Sequence, residues 1–188
     1  MARILDATAG NRTIWKTKED ERIIFIDIEA ELQIPPDRIM NCVQTNFEGK
    51  QFHTIIFDPP HKVGDKKESS IFSTPHLTEK YKKWLPGRTI PVYYGSDKFE
   101  SILELKQFLY KAGKEFHRIL MDDGCLWFKW AENTFSLDEA LDELEGFIIM
   151  VKFKTESNRE KLPAHPAYWC LLMKNLNETI KRRELDEF

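Results

Sequence analysis

The run Thr54-Ile55-Ile56-Phe57 has the β-branched and aromatic composition of a buried strand, and it ends against Asp58-Pro59-Pro60-His61. Two consecutive prolines offer no N–H to a sheet ladder, so the strand has to stop at Asp58. The residue before a proline is driven into an extended conformation, which sets the direction in which Asp58 projects. A stiff corner is therefore expected at a strand's carboxyl end. It presents a carboxylate, two carbonyls and then an imidazole. In open α/β sheets ligands bind outside that edge. A turn that merely ends a strand explains the tetrapeptide equally well, so the rest of the chain has to separate the two readings.

The remaining strands predict an α/β fold. Arg3–Ala7 reads as a first strand, followed by the small-residue turn Thr8-Ala9-Gly10-Asn11. Asn11 suits a helix N-cap, with Arg12-Thr13-Ile14-Trp15 opening a short helix. Such a turn lets a ligand lie against free backbone N–H groups, although one glycine is a weak fingerprint. Arg22–Asp27 is apolar enough to be buried on both faces, as in parallel sheets. It ends in Asp27-Ile28-Glu29, at a spacing that suits an acid accepting from a ribose diol. A solvent-facing acid at a strand end is the plainer alternative. Ile39–Val43 reads as a third strand. Gln44 and Asn46 follow at its edge, as turn residues or as partners for an adenine ring.

Further along, Ser101-Ile102-Leu103-Glu104 is a capping-box pattern that opens a helix with Ile102, Leu105, Leu109, Ala112 and Phe116 on one stripe. Asp122-Asp123-Gly124 reads as a turn into a fifth strand, Cys125–Trp130. A second capping box, Ser136–Glu139, starts an acidic helix ending near Gly146. Phe147–Phe153 and Ala167–Met173 form a plausible antiparallel closing pair, and 175–188 has a helical pattern.

One domain of 188 residues fits the length, and 41% hydrophobic residues exclude a disordered chain. No signal peptide and no apolar span of bilayer length are evident. Cys42, Cys125 and Cys170 are odd in number and widely spaced, which predicts free thiols rather than a disulfide framework or a metal site. A reducing cytoplasm is the expected compartment. The net charge of −3 argues against indiscriminate coating of nucleic acid. The charges are uneven, however. Residues 62–98 hold eight Lys or Arg against four Asp or Glu, interleaved with Phe72, Tyr81, Trp84, Tyr93 and Tyr94. A stretch this long and irregular reads as an inserted lid or substrate loop, with rings for unpaired bases and cations for phosphate. Rings that simply pin the loop down are the competing explanation.

Several of these stretches together resemble the class I S-adenosylmethionine-dependent amino-methyltransferases. Arg3–Trp15 is similar to their cofactor loop, Phe25-Ile26-Asp27 to their acidic second strand, and Phe57–His61 to their (Asp/Asn)-Pro-Pro-(aromatic) corner, with His61 in the aromatic place. Phe116–Leu120, Gly124 and Leu126–Trp130 resemble the helix, turn and fifth strand in the same order. Asp-Pro-Pro-His and Phe-Lys-Trp are shared with small phage and archaeal members, among which archaeal ribosomal-RNA cytidine-N4 methyltransferases match best. The resemblance implies a Rossmann-like, mostly parallel seven-stranded sheet with its last strand reversed. It implies S-adenosylmethionine as cofactor, bound by Asp6, Ala7, Gly10, Asn11, Asp27, Ile28 and Asn46, with no metal. The partner implied is nucleic acid, foremost RNA, with DNA amino-methylation, protein-glutamine methylation and a non-catalytic nucleotide-binding module as alternatives.

On that reading Asp58 accepts one N–H of the target amine and the Pro59 carbonyl accepts the other. Both contacts favour a pyramidal, positively charged nitrogen over the flat ground state. His61 would lie over the target ring or bond its edge, unless it only caps the turn. Pro60, Lys62, Lys129 and Trp130 are the expected substrate contacts. A base in RNA would have to be unpaired or flipped to reach them.

Overall fold

The computed structural model describes residues 3–63, 98–155 and 166–176. Its strands are β1 (Ile4–Asp6), β2 (Ile23–Asp27), β3 (Arg38–Ile39), β4 (Phe52–Phe57), β5 (Leu120–Ala131), β6 (Phe147–Thr155) and β7 (Ala167–Lys174). Helix α1 (Ile102–Ile119) joins β4 to β5 through residues that include 64–97, and the short α2 (Leu137–Asp142) lies between β5 and β6. All seven strands form one sheet in the order β3-β2-β1-β4-β5-β7-β6. β7 runs antiparallel to β5 and β6, while the other neighbours are parallel. The mostly parallel sheet with a reversed last strand is thus as the sequence predicts. Among the described residues no helix is long and apolar enough to cross a membrane.

Helix α1 forms where the periodicity places it. The Ser101 side chain accepts the Glu104 N–H at 3.1 Å, capping the first turn. Leu105, Leu109, Ala112 and Phe116 are fully buried, whereas Ile102 at the first turn is 48% exposed. The stripe lands on the strand that leads into the Asp-Pro-Pro corner, with the Phe116 and Phe57 ring centroids 4.8 Å apart. Phe57 also stacks on Phe128 of β5. Burying several such rings, at roughly 1.5–3 kcal/mol each, makes the floor beneath Asp58 rigid. Both helices pack on this face of the sheet, with Leu126, Phe128 and Trp130 of β5 and Cys170 and Leu172 of β7. The registers put Trp127, Lys129, Trp169 and Phe153 on the opposite face, where no described helix lies.

Four local expectations change. No helix follows Gly10; residues 11–20 are turns and bends. The cause is Arg12, whose φ of 54° leaves the helical region. Its buried guanidinium binds the Pro35 carbonyl and Asp37 Oδ1, both at 2.9 Å, and lies 3.8 Å above the Phe25 ring. Strand β3 stops at Ile39 because Asn41 turns the chain, its side chain accepting the Val43 N–H at 3.1 Å. Asp122-Asp123-Gly124 is no turn but an irregular part of β5, opposite a register shift between Phe52 and Thr54. A Cβ on Gly124 would meet the His53 carbonyl at 3.0 Å, so the two strands can approach there only with glycine. The acidic helix ends at Asp142, short of Gly146. The basic and aromatic stretch 64–97, the loop 156–165 and the tail from 177 onward lie outside the described residues.

The three cysteines are free thiols, as expected, with Cys42 and Cys170 buried and Cys125 half-buried.

Candidate active site

The loop after β1 is tied down on both sides. Ala7 N–H donates to Ile56 O at 2.9 Å and Ala9 N–H to Ile26 O at 3.0 Å. Gly10 has a φ of +48°, and a Cβ there would meet nothing within 4 Å, so open space adjoins its Cα. Its N–H donates to Asp27 Oδ2 at 2.9 Å, and Asp27 Oδ1 accepts the Glu29 N–H at 2.9 Å. Asp27 therefore clips the ends of β1 and β2 together while keeping lone pairs for a ligand.

Asp6 stands behind this loop rather than in the cleft. It is 1% exposed, and its oxygens accept Trp15 Nε1–H at 2.6 Å and the Thr8 N–H at 3.2 Å. Burial pushes its carboxyl from 3.8 up to about 6, helped by the negative charges of Asp58 and Asp27 and opposed by the two hydrogen bonds. A carboxyl that holds its proton more tightly when folded adds stability below the unfolded value, and that stability is lost as the pH rises through the folded one. Relative to Asp6→Asn, the wild-type chain should therefore lose roughly 2 kcal/mol between pH 4 and pH 6. Denaturant midpoints of the two chains across that window check this, and a constant difference would contradict it.

At the corner, Asp58 is 7% exposed. Its N–H donates to Thr8 Oγ1 at 2.8 Å, and its Oδ2 accepts Lys129 Nζ at 2.6 Å. With Pro59 and Pro60 following, the corner's first three residues have this single N–H between them, and Thr8 takes it. Thr8→Val keeps the shape but removes the acceptor. The variant should lose about 1–3 kcal/mol of stability in equilibrium denaturation, and Thr8→Ser should restore it. Equal loss in both variants would assign Thr8 a packing role only.

His61 belongs to the corner itself. Its ring hydrogen-bonds the Pro59 carbonyl and stands edge-on to Trp130, with centroids 6.3 Å apart. Burial lowers its pKa, and Lys129 and Lys62 push the same way, while Asp58 and the Pro59 bond oppose them.

A cleft of about 640 Å³ joins these parts. Ala7, Gly10, Asn11, Asp27 and Ile28 line it, and so do Asp58 and Pro60, while Pro59 between them is buried. Glu29 and Lys98, 3.7 Å apart, face each other on its wall. Asn46 does not line it: Asn46 is exposed, and the early end of β3 puts Asn41 on the wall instead. Lys62 is half-buried and His61 likewise, both off the cleft wall. Trp130 cannot grip a substrate. It is fully buried, stacked on Phe128 and bonded through Nε1 to the Phe135 carbonyl at 3.2 Å. Alternation along β5 turns Trp130 into the core and its neighbour Lys129 to the other face. The ring near Lys129 is that of Trp169, at 5.8 Å. Thr8, Asn41 and Trp169 escaped notice because only strand register and loop ends bring them to the corner.

Neither a family model nor a curated protein matches the sequence. Solved structures do. A TehB-like SAM-dependent methyltransferase of Corynebacterium glutamicum superposes with a TM-score of 0.52 at 13% identity, over 92% of this chain and 80% of that one. A Pyrococcus horikoshii protein gives 0.53 at 12%, over 92% and 81%. A SAM-dependent methyltransferase of Leishmania major gives 0.53 at 12%, over 91% of this chain and 64% of its own length. The fold is that of a class I methyltransferase. Where the sequence suggests a helix after Gly10, Arg12 and turns stand instead.

Proposed function

We propose that the chain is an S-adenosylmethionine-dependent N-methyltransferase acting on an exocyclic amino group of a nucleobase, foremost cytidine N4 in ribosomal RNA. The observation that carries this reading is the shared cleft: Asp58 and Pro60 of the corner and the loop from Ala7 to Asn11 with Asp27 line one cavity. The residues fit the cofactor. The open space beside Gly10 admits a ligand close to the backbone, and Asp27 is an acceptor at the β2 end where a ribose diol would lie. S-Adenosylmethionine, when bound, supplies an electrophilic methyl on a positively charged sulfur.

An exocyclic amine is a poor nucleophile because its lone pair is delocalised into the ring. Asp58 accepts one of its N–H groups. An ionised carboxylate offers about four lone-pair sites, so holding Lys129 leaves room for the amine. The Pro59 carbonyl, which already receives the His61 ring, has a second lone pair for the other N–H. Both contacts favour the charge that develops as the nitrogen pyramidalises. Asp58 then takes the released proton and passes it to solvent. Holding two reactants in line can supply roughly 7–11 kcal/mol of the barrier.

Nucleoside mass spectrometry of RNA and DNA incubated with the protein and cofactor tests this reading. A methylated amino nucleoside is expected, and label found only in protein would overturn it. Asp27→Ala should raise the cofactor Kd at least about tenfold before it changes the chemical step, as titration with S-adenosylhomocysteine would measure.

A further inference from the structure

The sheet face opposite α1 and α2 carries a graded arrangement of side chains. Lys129, Trp169 and Phe153 stand side by side across β5, β7 and β6. The next rung away from the catalytic edge is Trp127, Leu171 and Val151, and the rung nearer that edge is Ala131, Ala167 and Thr155. Trp127 stacks on Phe153 at 5.9 Å and 21°, and meets Trp169 edge-on at 6.4 Å. Trp127 and Trp169 are half-buried, and Phe153 is 45% exposed. The rings thus gather beside Lys129, next to a rung of small residues nearer the catalytic edge. Along these three rungs Lys129 is the one charged side chain.

Lys129 links this patch to the chemistry. Its ammonium is 2.6 Å from Asp58 and 5.8 Å from the Trp169 ring centre. We propose that Trp169, Phe153 and Trp127 form a stacking platform for unpaired nucleotides flanking the target base. The proposal rests on the nucleobase reading above and adds where the rest of the strand lies. Bases have flat faces that aromatic rings hold without regard to sequence. A target turned out of its stack leaves neighbours that need new partners. A platform continuous with the corner supplies them and fixes the strand's approach.

Fluorescence anisotropy of a labelled, unpaired RNA decamer, with S-adenosylhomocysteine present, tests the platform. Phe153→Leu and Trp169→Leu should each weaken RNA binding roughly tenfold, with S-adenosylhomocysteine affinity and circular dichroism unchanged. Phe153→Trp, which keeps a flat ring, should bind within about twofold of wild type. Wild-type affinity in both leucine variants, or no RNA binding by the wild type, would overturn the proposal. So would a wild-type dimer in sedimentation that the leucine variants split without loss of RNA affinity, since the face would then be a contact between copies. If the leucine variants lose RNA but no nucleoside is ever methylated, the platform stands and the amino-methylation reading falls. If nucleosides are methylated with an unchanged KM in the leucine variants, the reverse holds.

Discussion

Asp58→Ala is expected to lower methyl transfer at least about a hundredfold while leaving S-adenosylhomocysteine affinity within a few-fold. A preorganised group aimed at charge that appears only in the transition state contributes on this scale when it is removed. Asp58 lies at the end of β4, and the loop that would hold the cofactor contacts its backbone through Thr8 rather than through its carboxylate. The side chain can therefore be removed while that contact persists. Single-turnover kinetics beside a binding titration separate the two quantities. Parallel loss of both would mean that the Asp58–Lys129 pair holds the corner together and that the carboxylate has no chemical part. Asp58→Asn is the sharper companion. Its oxygen can still accept, but the counter-charge is gone, so its rate should fall between those of wild type and alanine.

Trp130→Ala should act on stability, with a loss of about 3–5 kcal/mol. The residue is fully buried, and its indole touches Phe128, Phe135 and the edge of the His61 ring. Against a typical domain stability of about 5–15 kcal/mol this is a large fraction, and the variant should unfold at a much lower denaturant concentration. Equilibrium denaturation provides the measurement. A variant that kept its midpoint but lost substrate affinity would contradict the core assignment. Because Trp130 supports His61, a milder change such as Trp130→Phe should disturb the corner while sparing the fold.

The parts of the molecule legible from sequence are those fixed by local periodicity and by proline. Helix α1 was visible because its stripe repeats every three to four residues and Ser101 caps it. The corner was visible because Pro59 and Pro60 admit few conformations. In isolation Arg12 reads as a helix former, yet tertiary contacts with Pro35, Asp37 and Phe25 hold it at positive φ. Asn46 was misplaced for a related reason. The apolar run through Val43 resembled a strand, and nothing local announced that Asn41 would end it early. Trp130 and Lys129 are adjacent in sequence and read as a pair of substrate contacts, but a strand sends neighbours to opposite faces. Which face is buried depends on where α1 and α2 dock, and that is a long-range fact.

Arg12 ties together pieces of chain that a helix would otherwise have kept separate. The turn after Gly10, the segment around Pro35 and the strand carrying Phe25 all converge on one cation. Their amides should then exchange with solvent as a single block, at one opening free energy, instead of fraying one by one. Whatever loosens that block would loosen this rim of the cleft all at once, since Asn11, Thr13 and Ile14 lie on its wall.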